Sequence, residues 1–595
     1  AGLGCLIGDA QAELGKKSPL DELQDALREV IPYPSPFGAT EAEKKKRAKE
    51  RDDLLNYRKT KLQKYADQLQ SLGALRRALL LSDWKLDATE PKEAEVDKAV
   101  LDSIAKRFKE EFRKVMAEGG PAQKAAALNL LGDLSQTNQS ANKGKTGYLE
   151  DLVGGLVDDV IKVIQDSSAP DPVRAQAILA FGNLYPDVKK IDSTLAPFVQ
   201  GPCAPALLEA ALKAAGNLIE NATTKAQGRN ARIKDRQNLL AINESALPLL
   251  LKGLKSTDSL KARQAAIEGL GLLTDSLSIY RPLLGGKYPP VGRPRSEDEQ
   301  KEIQRDYDAI VQEEKSLEKL TEILQLHIAP LGTAIHDHDA KVRTGALDVL
   351  EDFAVLLDRL NQQRENLPLV DPKKAPNPEP HATRKKLGGA LHSVLPSLTG
   401  VLSQGCGPDR VKALQVIFFL GRSAEHLASA VVKALHDPIQ FVRWAAARAI
   451  GRISSPQKPA PGAIEGLARL LTDVDVDVRG AAARALTCFD PIPAVTQHAV
   501  PVLSKVIADA NRDAEIKLEF MLTLEKYGVA GKGAIPGLIQ ALQDERDEVR
   551  AGATELLGNL GPLAAEAIPA LKAAQHDKVE AVRLAADDAL LSVSR

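Results

Sequence analysis

Aromatic side chains are scarce in this sequence: Phe, Tyr and Trp make up 4% of 595 residues, and only two are Trp. A core without them must draw on Ala, Leu, Val and Ile, a mixture that suits helices whose axes approach to ~8–10 Å. Cysteine is equally sparse. Cys5, Cys203, Cys406 and Cys488 stand far apart and form no CxxC pair, no zinc spacing and no haem-attachment motif, which argues against a disulfide framework. Neither sign of charge is in excess, with 79 Lys and Arg against 80 Asp and Glu, so no global field draws the chain to nucleic acid or to an anionic membrane. No apolar run approaches the ~18 residues of a membrane span. Fingerprints of common enzymes are missing too: there is no GxxxxGK[ST], no GxSxG, no HExxH and no GxGxxG following a strand.

What the sequence does have is one sentence repeated. Asp437-Pro-Ile-Gln-Phe-Val442-Arg443-Trp-Ala-Ala is followed by Asp473-Val-Asp-Val-Asp-Val478-Arg479-Gly-Ala-Ala, Asp544-Glu-Arg-Asp-Glu-Val549-Arg550-Ala-Gly-Ala and Asp577-Lys-Val-Glu-Ala-Val582-Arg583-Leu-Ala-Ala. The arginines are 36, 71 and 33 positions apart, the long gap holding a degenerate copy at Asp513 to Leu524. A period of this length marks stacked helical repeats, which lengthen without dividing into globules. Weaker copies are read at Pro121–Leu134, Asp171–Leu184, Pro205–Leu218, Asp258–Leu273, Asp337–Leu350 and Pro408–Gly421. Val442, Ala445, Ala446, Ala449 and Ile450 follow the i, i+3, i+4, i+7, i+8 pattern of one buried stripe on the second helix of a pair. The preceding helix opens with proline, as at Pro501, Pro536 and Pro569, where the missing N–H costs no helical bond. Gly132, Gly182, Gly216 and Gly558, each followed by Asn or Asp, mark either a helix stop or a close approach of backbones.

The chain divides on this reading into three parts: residues 1–16, a charged helical region over 17–119, and the array over 120–595. Ala1 to Ala12 reads either as the end of an apolar export signal closing on a small-x-small site, which implies a periplasmic or otherwise exported protein, or as a flexible leader or first partial helix, with a cytoplasmic protein as the alternative. Ser18 caps a short amphipathic helix, and Thr40 caps a long one from Glu41 to about Leu81. Along the long helix, Leu55, Leu62 and Leu69 interleave with Tyr65, Leu72 and Leu79 at seven-residue spacing, a seam that needs a partner. That partner is either the following helix, Glu93 to Glu118, or another chain, and in the second case Leu55, Leu62, Tyr65, Leu69 and Leu72 are partner-binding residues. Two insertions, about 280–315 and 361–389, are rich in Gly and Pro and read as loops at a binding rim. They present Lys287, Tyr288, Arg293 and Arg295 in the first, and Arg384, Lys385 and Lys386 in the second. Dipeptides His336-Asp337, His436-Asp437 and His576-Asp577 fall in equivalent turns of different repeats, too far apart to share a metal, and no cofactor is called for.

The repeated sentence resembles HEAT repeats of the short bacterial type that also occurs in phycobilin lyases, strongly from Asp437 onward and more weakly back to Pro121. The resemblance implies an all-α fold, a right-handed α–α superhelix, in which turn aspartates and helix-start arginines form ladders between neighbouring repeats. The residues concerned are Asp337 with Arg343, Asp437 with Arg443, Asp473 with Arg479, Asp544 with Arg550 and Asp577 with Arg583, a pattern that Asp513 and Lys517 break. Di-iron hydroxylases built on HEAT repeats use His-Glu dipeptides, and none of the nine histidines here precedes Glu. The expected function is therefore a non-catalytic scaffold or assembly subunit binding one or more proteins. The alternative is an accessory enzyme or chaperone acting on a chromophore-bearing or modified protein.

Overall fold

The computed structural model describes residues 17–29, 40–81, 84, 91–141, 155–184, 186–227, 233–277, 318–325, 328–362, 380–509 and 512–595. Every regular element among them is helical. Contacts divide the chain into two units, Ala1–Ile279 and Tyr280–Arg595. The proposed leader, the whole first insertion with Lys287, Tyr288, Arg293 and Arg295, and most of the second lie outside the described residues.

The first unit opens with α1 (Pro19–Arg28), α2 (Glu41–Ala66), α3 (Leu72–Leu79) and α4 (Pro91–Glu118). Ser18 and Thr40 each cap their helix in a reciprocal box, the hydroxyl accepting from the backbone N–H three residues on while that residue's carboxylate accepts from the cap. The expected single helix from Glu41 to Leu81 breaks after Ala66 and restarts at Ser71, whose Oγ accepts the Ala74 N–H at 3.1 Å. That turn folds the heptad seam back on its own chain: α2 packs on α1 and α4, and α3 packs on α4. Leu55, Leu62, Leu69 and Leu72 are consequently core residues, each 5% exposed or less, and are not available to another chain. Tyr65 is half-buried. Burial stabilises each leucine by about 1.5–3 kcal/mol, which decides for the internal partner over the external one. Beneath the seam, Arg58 donates from Nε and Nη2 to both oxygens of Asp97 at 2.7 and 2.8 Å, with both side chains inaccessible to solvent.

Four second helices then lie side by side: α5 (Pro121–Ala141), α7 (Asp171–Leu184), α9 (Pro205–Gln227) and α11 (Leu260–Leu277), preceded from α7 onward by first helices α6 (Val157–Gln165), α8 (Val188–Gln200) and α10 (Ile233–Leu254). The helices run past Gly132 and Gly216, so these glycines are not stops. Gly182 shows the reason for a glycine at this place: a Cβ there would stand 2.6 Å from Cα of Ala214 on the next second helix.

In the second unit the pairs are α12 (Ala329–Ala334) with α13 (Ala340–Gln362), α14 (Pro380–Gln404) with α15 (Gly407–Leu420), α16 (Ala428–Ala434) with α17 (Gln440–Ile453), α18 (Ala463–Leu470) with α19 (Val476–Leu486), α20 (Val500–Ala508) with α21 (Ala514–Tyr527), α22 (Ile535–Ala541) with α23 (Asp547–Leu560), and α24 (Ile568–Ala574) with α25 (Glu580–Val593). Pro501, Pro536 and Pro569 stand in the first turns of α20, α22 and α24. The stops that do end second helices are Gly421, Gly528 and Gly561, at φ of 56°, 50° and 57°, a region that side chains disfavour. Each begins a turn of 3-10 helix that leads into the next first helix. The second insertion is shorter than its proline content suggests, because residues from Pro380 onward are helical and place Arg384, Lys385 and Lys386 on α14 rather than on a rim loop.

Candidate functional site

Turn aspartates and helix arginines make two kinds of bond. Within a repeat, the arginine six positions on donates from Nη1 to the main-chain oxygen of the aspartate, at 2.9 Å for Arg343 to Asp337 and Arg443 to Asp437, and at 2.8 Å for Arg479 to Asp473, Arg550 to Asp544 and Arg583 to Asp577. The carboxylate instead accepts the backbone N–H two residues on, closing the turn, as in Ile439 to Asp437 at 2.9 Å. Its free face takes the cation of the preceding repeat. Arg443 donates to Asp473 at 2.7 and 2.8 Å, and Arg550 to Asp577 at 2.7 and 3.0 Å. Further up, Arg410 reaches Asp437 at 3.1 Å and Arg343 reaches Asp409 at 3.0 Å.

The offset of six thus identifies a side chain to main chain bond, while the carboxylates of Asp437, Asp473 and Asp577 belong to the arginine of the preceding repeat. Asp409 and Arg410 escaped the sequence reading because neither has its counterpart six residues away. Lys517, which seemed to break the run, carries its rung: Nζ lies 2.5 Å from Asp544 and the side chain is 1% exposed. The rung missing on the other side belongs to Arg479, whose Nε is buried without an acceptor.

Burial raises the carboxyl pKa of Asp473, but the Arg443 hydrogen bond, the Asp475 N–H and the charges of Arg443 and Arg469 outweigh it and hold the group below its ordinary value. Asp544 is held lower still, burial being overcome by hydrogen bonds from Arg546 and Lys517. These charges are consumed by stacking one repeat on the next, so they offer nothing to a ligand.

Among the described residues of this unit, the exposed side of the second helices is open to a partner. Five residues after each ladder cation stand Asp348, Gln415, Arg448, Arg484, Leu522, Glu555 and Asp588, all exposed or half-buried and of varied chemistry. Phe441, Leu522, Leu584 and Leu591 add large apolar surface on the same helices, 64%, 65%, 58% and 64% exposed. The densest chemistry lies on α15 and α17. Phe418 and Phe419 meet edge to face at 5.2 Å, and the guanidinium of Arg448 lies 4.6 Å from the Trp444 ring centre and 4.7 Å from that of Phe418. Trp444 and Arg448 are four residues apart, hence stacked on one helix face. Burial, then the nearby charge of Arg484, lowers the pKa of Arg448.

Neighbouring cations are satisfied: Arg452 by Asp358 at 2.7 Å, Arg484 by Glu519 at 2.6 Å, and Lys412 by Asp348 at 2.5 Å with Glu351 at 3.6 Å. No ion pair joins Arg448 to a carboxylate among the described residues. A cleft of about 80 Å³ opens between Leu414, Gln415, Phe418, Phe419, Trp444, Ala445, Arg448 and Glu351. The sequence reading missed this group, since Phe418 and Trp444 are 26 positions apart. The available signal was the gathering of three Phe and one of the two Trp into so short a stretch of an aromatic-poor chain.

Other candidates are spoken for or unplaced. Lys386 is bound between Glu318 at 2.8 Å and Glu322 at 2.5 Å, so it is a structural cation and not a partner contact. Lys385 is exposed on α14. His336 packs against Gly400, and among the described residues no three His, Cys, Asp or Glu side chains converge on a point that could hold a metal. No helix among them is long and apolar enough to cross a membrane.

Residues 396–487 and 500–591 match the family model of HEAT repeats. Among curated proteins nothing matches the chain. Solved structures that resemble it include an engineered protein, at 16% identity and a TM-score of 0.41 over 74% of this chain and 99% of that one. Importin beta gives 13% identity and a TM-score of 0.32 over 96% and 79%. A chain from work on a phosphorylation switch in the interaction between cadherin and beta-catenin gives 14% identity and a TM-score of 0.31 over 82% and 98%.

Proposed function

We propose that this HEAT-repeat chain is a non-catalytic scaffold that holds one or more partner proteins on the exposed side of its second helices. Helical-repeat folds of this kind generally act as protein-interaction scaffolds. The observation that carries the reading for this chain is a division of labour along the second unit. Residues that recur from repeat to repeat are used up in stacking, whereas the exposed row from Asp348 to Asp588 changes chemistry at each step. A surface whose scaffold is periodic and whose side chains are not is suited to recognising an extended protein surface.

The test is cross-linking of the native protein followed by mass spectrometry of what co-purifies. The expected result is a protein partner cross-linked to residues of α15, α17, α19, α21, α23 or α25. Recovery of an uncomplexed chain carrying a pigment or metal would overturn it.

A further inference from the structure

We infer that His392 and His426 form a binding site for a divalent first-row transition ion of the Zn2+ and Cu2+ class, an ion that ties α14 to the turn leading into α16. The two imidazole rings lie with their centres 5.2 Å apart and their planes tilted by 55°. Among the described residues neither ring takes part in a hydrogen bond or an ion pair, which leaves the ring nitrogens free for a ligand bond. Both side chains are exposed, so an ion and its waters reach them. The backbone beneath is held by the core: His392 follows Leu391 within α14, His426 stands between Ala424 and Leu427, and these three neighbours are each 5% exposed or less. Gly421, at φ of 56°, starts the 3-10 turn Gly421–Leu427 that packs on α14 and brings the second histidine to the first.

The spacing of the rings is that of a chelate. An ion bonded to one nitrogen of each ring at about 2.1 Å lies about 3.2 Å from either ring centre, and a tetrahedral angle at the ion then sets the centres about 5 Å apart. The broad χ2 preference of histidine lets each ring turn a nitrogen toward the common point without moving the backbone. Ligand chemistry selects the ion: imidazole suits Zn2+, Cu2+ and Ni2+, whereas Ca2+ and Mg2+ take oxygen ligands. No third His, Cys, Asp or Glu converges here among the described residues, so water completes the coordination and the ion is an exchangeable one. Arg422 and Glu425, exposed in the same turn, carry opposite charges and set no net field against a cation. Elsewhere His436 and His498 are engaged singly, with the Val432 main-chain oxygen and with Glu465, each at 3.4 Å. Because the site is complete only while α14 and the turn are docked, an ion bound there stabilises that contact.

The experiment titrates the untagged full chain, freed of metal with EDTA, with ZnCl2 by isothermal calorimetry, beside the variants His392→Gln, His426→Gln and His498→Gln, each checked for native helix content. Micromolar Zn2+ should bind to the unaltered chain and to His498→Gln alike. His392→Gln and His426→Gln should each lose about tenfold or more in affinity, since even the outer partners of a metal ligand are worth that factor. With CuCl2 in place of ZnCl2, the electron paramagnetic resonance spectrum should show coupling to two imidazole nitrogens in the unaltered chain and to one at most in either variant. At a Zn2+ concentration about a hundred times the dissociation constant, hydrogen exchange in Gly421–Leu427 should slow by up to about a hundredfold, an effect that both variants abolish. Binding that needs millimolar Zn2+, equal affinity in His392→Gln or His426→Gln, a Cu2+ spectrum without paired imidazoles, or displacement of Zn2+ by equimolar CaCl2 would each overturn the inference. The scaffold reading stands apart from this result and is decided by the cross-linking of native partners.

Discussion

Replacing Asp473 by Ala should loosen the stack between α17 and α19 by an amount that the geometry lets us work out. The substitution removes two short bonds from Arg443, at 2.7 and 2.8 Å, and one from the Asp475 N–H at 3.1 Å. Arg443 and Asp473 are only 11% and 5% exposed, so water does not replace what is lost. Removing one partner of a buried pair costs ~3–5 kcal/mol. Arg443 keeps two acceptors, the main-chain oxygens of Asp437 at 2.9 Å and Pro438 at 3.1 Å, which places the cost at the lower end. With ~0.5–1.5 kcal/mol for the turn-closing bond, the expected loss is about 3.5–4.5 kcal/mol, a factor of several hundred to about two thousand in the local opening equilibrium.

Hydrogen exchange read by mass spectrometry on the full chain measures it, because the loss should appear as lowered protection in α16 to α19, with α1 to α4 unchanged. The double variant Arg443→Met with Asp473→Leu should recover most of the protection, since apolar groups of similar size replace a buried pair at little net cost. A change under about 1 kcal/mol for Asp473→Ala, or a double variant as weak as the two single losses added, would refute the view that these pairs fix register.

Gly182→Ala should destabilise by about 1–3 kcal/mol through overpacking, because its Cβ would stand 2.6 Å from Ala214 Cα, whereas Gly271→Ala, with nothing within 4 Å, should be neutral or stabilising by up to about 1 kcal/mol; urea denaturation followed by circular dichroism compares them. Asp97→Ala should cost about 3–5 kcal/mol in the same assay, since it strands Arg58 in the core of the first unit. The carboxyl groups of Asp473, Asp544 and Asp577 sit below their ordinary pKa in the folded state. Their stabilisation is therefore complete above the unfolded value near pH 4 and is lost as pH falls through the folded values, so melting temperature should hold steady from neutrality to about pH 5 and drop steeply below pH 4. Asp473→Asn should flatten that drop, and an unchanged acid limb would contradict the assignment.

The sequence by itself determined the helical-repeat architecture of the C-terminal part. The Asp–Arg sentence and its apolar stripe recur at fixed spacing, and local signals placed the caps at Ser18 and Thr40 and the first-turn prolines at Pro501, Pro536 and Pro569. These features are legible because each depends on residues within about two helical turns of one another.

Tertiary structure decided everything that depends on which neighbour a side chain meets. It turned Leu55, Leu62, Leu69 and Leu72 from a seam awaiting another chain into the core of the first unit, since the break at Ala66 lets the chain fold back. It assigned the carboxylates of Asp437, Asp473 and Asp577 to the arginine of the preceding repeat and the arginine six positions on to the main-chain oxygen, gave Asp409, Arg410 and Lys517 their rungs, and took Lys386 into an internal pair. It alone brought Gln415, Phe418, Trp444 and Arg448 around one cleft. Stacking places one repeat against the next across about thirty positions of chain, and no local pattern records which exposed residues then touch.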